Sequence, residues 1–325
     1  MLPAISTYTP DRFLESNPDK VCDSKGHLIR SILRVVLVNL SLPFLLLFAG
    51  CADSKLSQNP VEDGMQALSI FDFEEAYKQL SIAIEEMDSS DSRWSEVAYA
   101  LGIAAWHRSP SRSEYIQEAV GLFEEVAAST EEEQLRSRCY LNLGRIAEVR
   151  DFSGDPKKLE EASSYYERAL EAVPGTGIGS QAAFRLAQTR VDQMNDPSFE
   201  EAIEIVTGYL TDYPEAPFAN VGWHFVADIE KYYLNDDESA LEALRKAYAL
   251  GFALESKADV YIWQMAELAL ELGETEEAVG YLSEVVRDYP RSVFRWVSRE
   301  KLKELAQEYP NLNIEIPALT AYGEV

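Results

Sequence analysis

Histidine and cysteine are scarce in this 325-residue chain, with three of each, and that shortage removes the usual routes to chemistry. Cys22, Cys51 and Cys139 form no CxxC pair and have no His at ligand spacing, so neither a zinc site nor a disulfide framework is indicated. Cys139, just ahead of Tyr140 in a helical pattern, reads as a small core residue. His107 and His224, the two histidines beyond the leader, stand outside any HExxH pattern and read as surface or groove residues rather than catalytic bases. Acidic pairs such as Glu124-Glu125 and Glu200-Glu201 are adjacent, so on a helix they diverge and cannot share a proton. Gly175-Thr176-Gly177-Ile178-Gly179 follows no strand and leads into no phosphate-binding pattern; it reads as a loop after Pro174. No catalytic residue, cofactor site or metal site is expected, and the chain reads as no enzyme.

Positive charge is also in deficit. Against 56 Asp and Glu there are 29 Lys and Arg, a net charge of −27 that repels phosphate backbones and excludes a nucleic-acid partner. Carboxylates dispersed over helix faces serve as a solvated surface, and a site for a basic partner is the other reading. Apolar residues make up 46% of the chain, which excludes a disordered polyanion.

No apolar run reaches the length of about 20 residues that a spanning helix needs. The longest, Val35 to Gly50, is sixteen residues interrupted by Asn39, Ser41 and Pro43, and Arg30 and Arg34 precede it. A basic start, an apolar middle and a small-residue exit form a signal layout, so residues 1–50 read as a signal peptide. Residues 1–27 are long for its basic part, and a translation start at Leu28 or Ile29 would leave them untranslated.

The exit Leu47-Phe48-Ala49-Gly50-Cys51 resembles the bacterial lipobox, with Phe48 standing where that family has Leu, Val or Ile. The resemblance implies a diacylglycerol on the Cys51 thiol and cleavage before it, leaving residues 51–63 as a lipidated tether and acyl chains as the membrane attachment. An uncleaved amino-terminal anchor is the other reading. Ala52, where the inner-membrane sorting rule requires Asp, implies the outer membrane of a bacterial envelope, with the chain facing the periplasm.

Beyond the tether the chain repeats itself. Ala162, Tyr166 and Ala169 are followed by Pro174; the same register recurs at Ala76, Leu80 and Ala83; Ala119, Phe123 and Val126; Ala202, Val206 and Tyr209; Ala240, Leu244 and Ala247; and Ala278, Leu282 and Val285. Their leading alanines are 43, 43, 40, 38 and 38 residues apart. Upstream of each lies a large residue followed by a tiny one: Leu101-Gly102, Leu143-Gly144, Leu186-Ala187, Val226-Ala227 and Met265-Ala266. This pattern resembles the tetratricopeptide repeat, whose period is about 34, with extra loop in each interval. The resemblance implies an all-α solenoid over residues 64–310, about six helix-turn-helix units with a capping helix at Val293 to Glu308, and an extended tail at 311–325. Asp212-Tyr213-Pro214 and Asp288-Tyr289-Pro290 further resemble helix endings of envelope members, including the barrel-assembly lipoprotein and the Tol-Pal coordinator families.

In that family the first helix of each unit lines a concave groove. Carried to this chain, the groove positions include Tyr99 and Trp106; Arg138, Asn142, Arg145 and Glu148; Arg185 and Gln188; His224, Asp228 and Lys231; and Trp263. Aromatics with a few arginines are the composition of interface hot spots, and a protein or peptide partner is expected there. The same residues serve equally as packing between units, with the arginines neutralising nearby Glu. The implied function is a lipid-anchored scaffold. The alternative is a carbohydrate-binding or enzymatic accessory lipoprotein whose site lies in the 151–158 insertion and the tail.

Overall fold

Small residues placed opposite bulky ones determine how this chain packs. The computed structural model describes residues 59–149, 157–252 and 257–319. The expected signal segment, Cys51 and most of the 151–158 insertion lie outside the described residues. Those that are described form helices and connecting loops, with thirteen α-helices among them.

Six antiparallel pairs follow one another: α1 (Pro60–Ser69) with α2 (Phe73–Glu86), α3 (Trp94–His107) with α4 (Ser113–Ser129), α5 (Glu133–Glu148) with α6 (Leu159–Ala172), α7 (Gly177–Val191) with α8 (Asp196–Asp212), α9 (Ala219–Ile229) with α10 (Asp237–Ala249), and α11 (Ala258–Glu271) with α12 (Thr275–Asp288). A single helix, α13 (Arg295–Glu308), closes the stack. Each helix packs on its partner and on the next pair, so the core runs through the whole stack as a line of linked clusters. First helices of neighbouring pairs also touch, α1 with α3 and α5 with α7, which puts them on the inside of the curve.

The leading alanines of the second helices, Ala76, Ala119, Ala162, Ala202, Ala240 and Ala278, are all fully buried. One turn on, Leu80, Phe123 and Tyr166 press against Gly64, Gly102 and Gly144 of the first helices; a Cβ on Gly144 would lie 2.5 Å from the Tyr166 ring. In the last three pairs the corresponding residues are Ala187, Ala227 and Ala266, which share a core cluster with the aliphatic Val206, Leu244 and Leu282. Where an aromatic ring crosses the helix pair, only glycine leaves room for it.

One boundary departs from expectation, and two local features add to it. Pro60 opens α1, so residues 60–63, expected in the tether, are the first turn of the solenoid; proline suits a first helical position, and Glu62 and Asp63 complement the helix dipole there. The fifth first helix does not end cleanly: α9 passes into a π turn over Glu230–Leu234, closed by Asn235 in the left-handed region at φ 55°. The tail begins with a short turn, and its described part then lies against the cap. A 3-10 turn at Pro310–Leu312 is followed by Ile314 and Ile316 packed on the last core cluster, and Arg299 Nε donates to the Pro317 carbonyl at 3.2 Å, strapping the chain along α13. The expected loop after Pro174 is shorter than the sequence implies: Gly177, Ile178 and Gly179 are the first turn of α7, started by Thr176, whose Oγ1 accepts from the Gly179 amide at 3.2 Å.

Gly144→Ala forces the Tyr166 ring out of place and is expected to destabilise by about 1–3 kcal/mol. Gly208→Ala, on α8 where a Cβ meets nothing within 4 Å, is expected to stabilise by about 0.5–1 kcal/mol through helix propensity. Urea denaturation followed by circular dichroism distinguishes them, and equal effects would show that the close crossing is not what selects glycine.

Candidate functional site

On α5, Arg138, Asn142 and Arg145 recur at spacings of four and three, which places them on one face of the helix. That face looks along the inside of the stack. Asn142 Nδ2 donates to Tyr99 Oη on α3 at 3.1 Å. The Arg145 guanidinium lies over the Trp106 ring, 5.1 Å from its centroid. In the other direction, Arg185 Nη1 on α7 donates to Glu148 Oε1 at 3.5 Å. Further along, Lys231 Nζ in the π turn donates to Asp237 at 2.7 Å and to Glu271 of α11 at 3.2 Å, and Gln264 Nε2 donates to Tyr232 Oη at 3.3 Å. First helices are thus cross-linked by side chains at the positions carried over from the family.

Arg138 and Asp228 are the exposed members of the expected set; Tyr99, Trp106, Arg145, Arg185, Gln188, Lys231 and Trp263 are half-buried, and Asn142 and His224 are buried. Much of the set therefore binds the protein to itself. Gln188 Nε2 reaches only Asp192, 3.1 Å away on its own chain segment. Trp263 stacks on Phe294 with centroids 4.3 Å apart and rings 15° from parallel, joining α11 to the start of the cap. Arg138 makes no hydrogen bond or ion pair among the described residues and stands open on the inner face.

His224 sits in the interior rather than in the open groove. Its ring lies 4.1 Å from Tyr261 and 5.3 Å from Phe252, and burial lowers its pKa to about 4. Asp228, one turn further on α9, keeps part of its surface exposed, while desolvation of its carboxyl by the surrounding helices raises the pKa to about 6. Burial also raises the Tyr99 phenol, and pushes the Cys139 thiol up to about 12, which keeps that cysteine a protonated, unreactive core group.

One polar network lies beyond what sequence reasoning assembled. Glu148, only 8% exposed, accepts from Tyr166 Oη at 2.6 Å as well as from Arg185, tying α5, α6 and α7 together. Burial first, and the Glu148 charge second, push the Tyr166 phenol far up, so it stays a donor. Glu148 occupies a groove position carried from the family, but nothing in the sequence pairs it with a tyrosine eighteen residues away. Among the described residues no group of three or more His, Cys, Asp or Glu is placed to hold a metal ion, and no helix is long and apolar enough to cross a membrane.

Residues 261–292, which span most of α11 and all of α12, match the family model of the tetratricopeptide repeat. With six such pairs and a cap, the fold is a tetratricopeptide-type α-solenoid, an architecture that works through contacts with other proteins. Comparison with curated protein sequences returns no match. Among solved structures the chain is similar to PilF of Pseudomonas aeruginosa, at 16% identity and a TM-score of 0.46, over 74% of this chain and 96% of that one. It is also similar to a tetratricopeptide repeat protein of Parabacteroides merdae, at 14% identity and a TM-score of 0.42, over 82% of this chain and 93% of that one.

Folded His224 takes up its proton only near pH 4, whereas an unfolded histidine does so near 6.5, so stability contributed here is lost as pH falls through that window. Asp228, raised to about 6, acts in the opposite sense over an overlapping range. His224→Phe removes only the first effect. Relative to the parent it is expected to gain up to about 2.5 kcal/mol between pH 7 and pH 4.5 in urea melts. A constant difference across that range would show that His224 does not titrate between folded and unfolded states.

Proposed function

We propose that this chain is a non-catalytic scaffold that holds a protein or peptide partner along the inner face of its solenoid. We further propose that a lipid on Cys51 tethers it to a bacterial envelope membrane, with outer-membrane assembly as its setting. The observation that carries the groove reading is the inner strip itself. Successive first helices align Tyr99, Trp106, Arg145 and Arg185 through direct contacts, so the strip is rigid before any partner arrives. At its middle, Arg138 offers an uncommitted guanidinium in a chain of net charge −27. Such a strip suits an extended segment with an aromatic or aliphatic anchor beside Trp106 and a carboxylate for Arg138. The envelope reading is supported by the signal layout and the lipobox-like Ala49-Gly50-Cys51.

Two measurements test the two halves separately. A photoreactive residue placed at Arg138 or Gln188 in cells is expected to yield discrete crosslinked partners that a probe at Glu167, exposed on the second helix α6, does not. Identical adducts from both faces would remove the groove as the binding site. For the tether, the membrane-extracted protein is expected to have the mass of Cys51 through Val325 plus lipid, and Cys51→Ser is expected to lose the lipid. An unmodified full-length mass in the soluble fraction would overturn the anchor while leaving the scaffold reading intact.

A further inference from the structure

Charge is sorted along the inner face. On the first helices of the third and fourth pairs, α5 and α7 place Arg138, Arg145 and Arg185 there, with Glu148 already paired to Arg185. On those of the fifth and sixth pairs, α9 and α11 hold neither lysine nor arginine and place Asp228 and Glu267 there instead. The helix crossings give these residues a common register. Immediately after Gly144, Ala187, Ala227 and Ala266 stand Arg145, Gln188, Asp228 and Glu267, a series that runs from a cation through a neutral amide to two carboxylates.

The acidic end is not neutralised from within. Lys231, three residues beyond Asp228, is held by Asp237 and Glu271. Neither Asp228 nor Glu267 makes a hydrogen bond or ion pair among the described residues. Burial alone accounts for the raised Asp228 carboxyl, with no cation offsetting it. An ionised carboxylate held in that way is short of solvation, and a basic group brought to it supplies the missing counter-charge. Burial first, and the Asp228 charge second, raise the Tyr232 and Tyr233 phenols, which places two neutral tyrosines near that carboxylate. Tyr232 is exposed and its Oη accepts from Gln264 Nε2, so a carboxylate and an anchored phenol stand together at this end of the strip. A planar guanidinium suits such a pair better than an ammonium does.

Resting on the groove reading above, we infer that the strip takes an extended partner segment of mixed charge, with an acidic side chain at Arg138, an arginine at Asp228 and uncharged residues passing Gln188 between them. Packed helices lie about 8–10 Å apart, so two steps along the stack, with the axial offset of Arg138 from the crossing row, separate the two ends by roughly 20 Å. An extended chain covers that distance in about six residues. The reverse arrangement brings like charges together at both ends, so the segment is admitted in one charge orientation only. The same polarity gives selectivity. A chain of net charge −27 attracts basic segments in general, and the Arg138 end turns away those that are basic throughout.

The test is selection of a displayed library of random peptides about ten residues long, enough to cover the span when extended, on the full-length chain and on its Asp228→Lys and Arg138→Glu variants. The parent is expected to enrich peptides with Asp or Glu and Arg about six positions apart. Asp228→Lys is expected to lose the arginine and keep the acid, and Arg138→Glu the converse. For an enriched peptide, Asp228→Asn is expected to weaken binding about tenfold by fluorescence anisotropy; removing an under-solvated charge leaves the fold intact, which a urea melt checks. Enriched peptides that crosslink to a photoreactive residue at Gln188, yet lack the arginine or bind Asp228→Lys equally well, would overturn the mixed-charge inference and leave the groove reading standing. No enrichment over the bare support would overturn both. Dimerisation of the parent that Asp228→Lys abolishes would put a second copy of this chain in the strip and overturn the inference as well.

Discussion

The close crossing of two helices at a residue with almost no side chain is the constraint from which the rest of this structure follows. At Gly102 and Gly144 the first helix comes so near the Phe123 and Tyr166 rings that a Cβ would lie 2.7 and 2.5 Å from them. That contact sets the angle within a pair. The angle within a pair leaves an apolar stripe exposed, and only the next pair covers it. Six repetitions carry the core along the stack, and α13 with the strapped tail ends it by covering the last stripe with Ile314 and Ile316.

The two long faces are stitched differently. On the outside, second helices exchange tyrosine-to-carboxylate hydrogen bonds across pairs, Tyr77 to Glu118 at 2.9 Å, Tyr165 to Glu124 at 3.2 Å and Tyr248 to Glu284 at 2.8 Å. Each neutral phenol relieves an acidic surface without adding charge. On the inside, arginines and asparagine reach back to the preceding first helix or to Glu148. Solvent-exposed links of this sort are individually weak, but the buried Tyr166–Glu148–Arg185 bridge is shielded from water and holds three helices in register. Residues that look like a binding surface in the sequence therefore double as the mortar between repeats, and a partner meets a surface whose side chains are already positioned.

The acidic composition takes on a more specific meaning in this light. Most carboxylates are spread over helix faces and act as a solvated coat. Others accept from tyrosines of a neighbouring second helix, as Glu284 does from Tyr248, so the same abundant residue type acquires a local role from its neighbours.

Helix number, order and pairing were legible in the sequence because they depend on local periodicity and on tiny residues facing large ones, and both survive in one dimension. The buried alanines from Ala76 to Ala278 and the glycines at 102 and 144 are where that reading expected them. The inner positions Arg138, Asn142 and Arg145 were legible as a stripe for the same reason. What each stripe member touches was not. Asn142 bonds Tyr99 across 43 positions, Trp263 stacks on Phe294, and His224 turns into the interior against Phe252 and Tyr261. Those outcomes depend on the distance and tilt between successive pairs, which the unequal loops set and no helical period encodes. The sequence by itself determined that these helices pair and stack. Only the tertiary structure decided which inner residues stay open to a partner, because packing between repeats is a property of their relative placement.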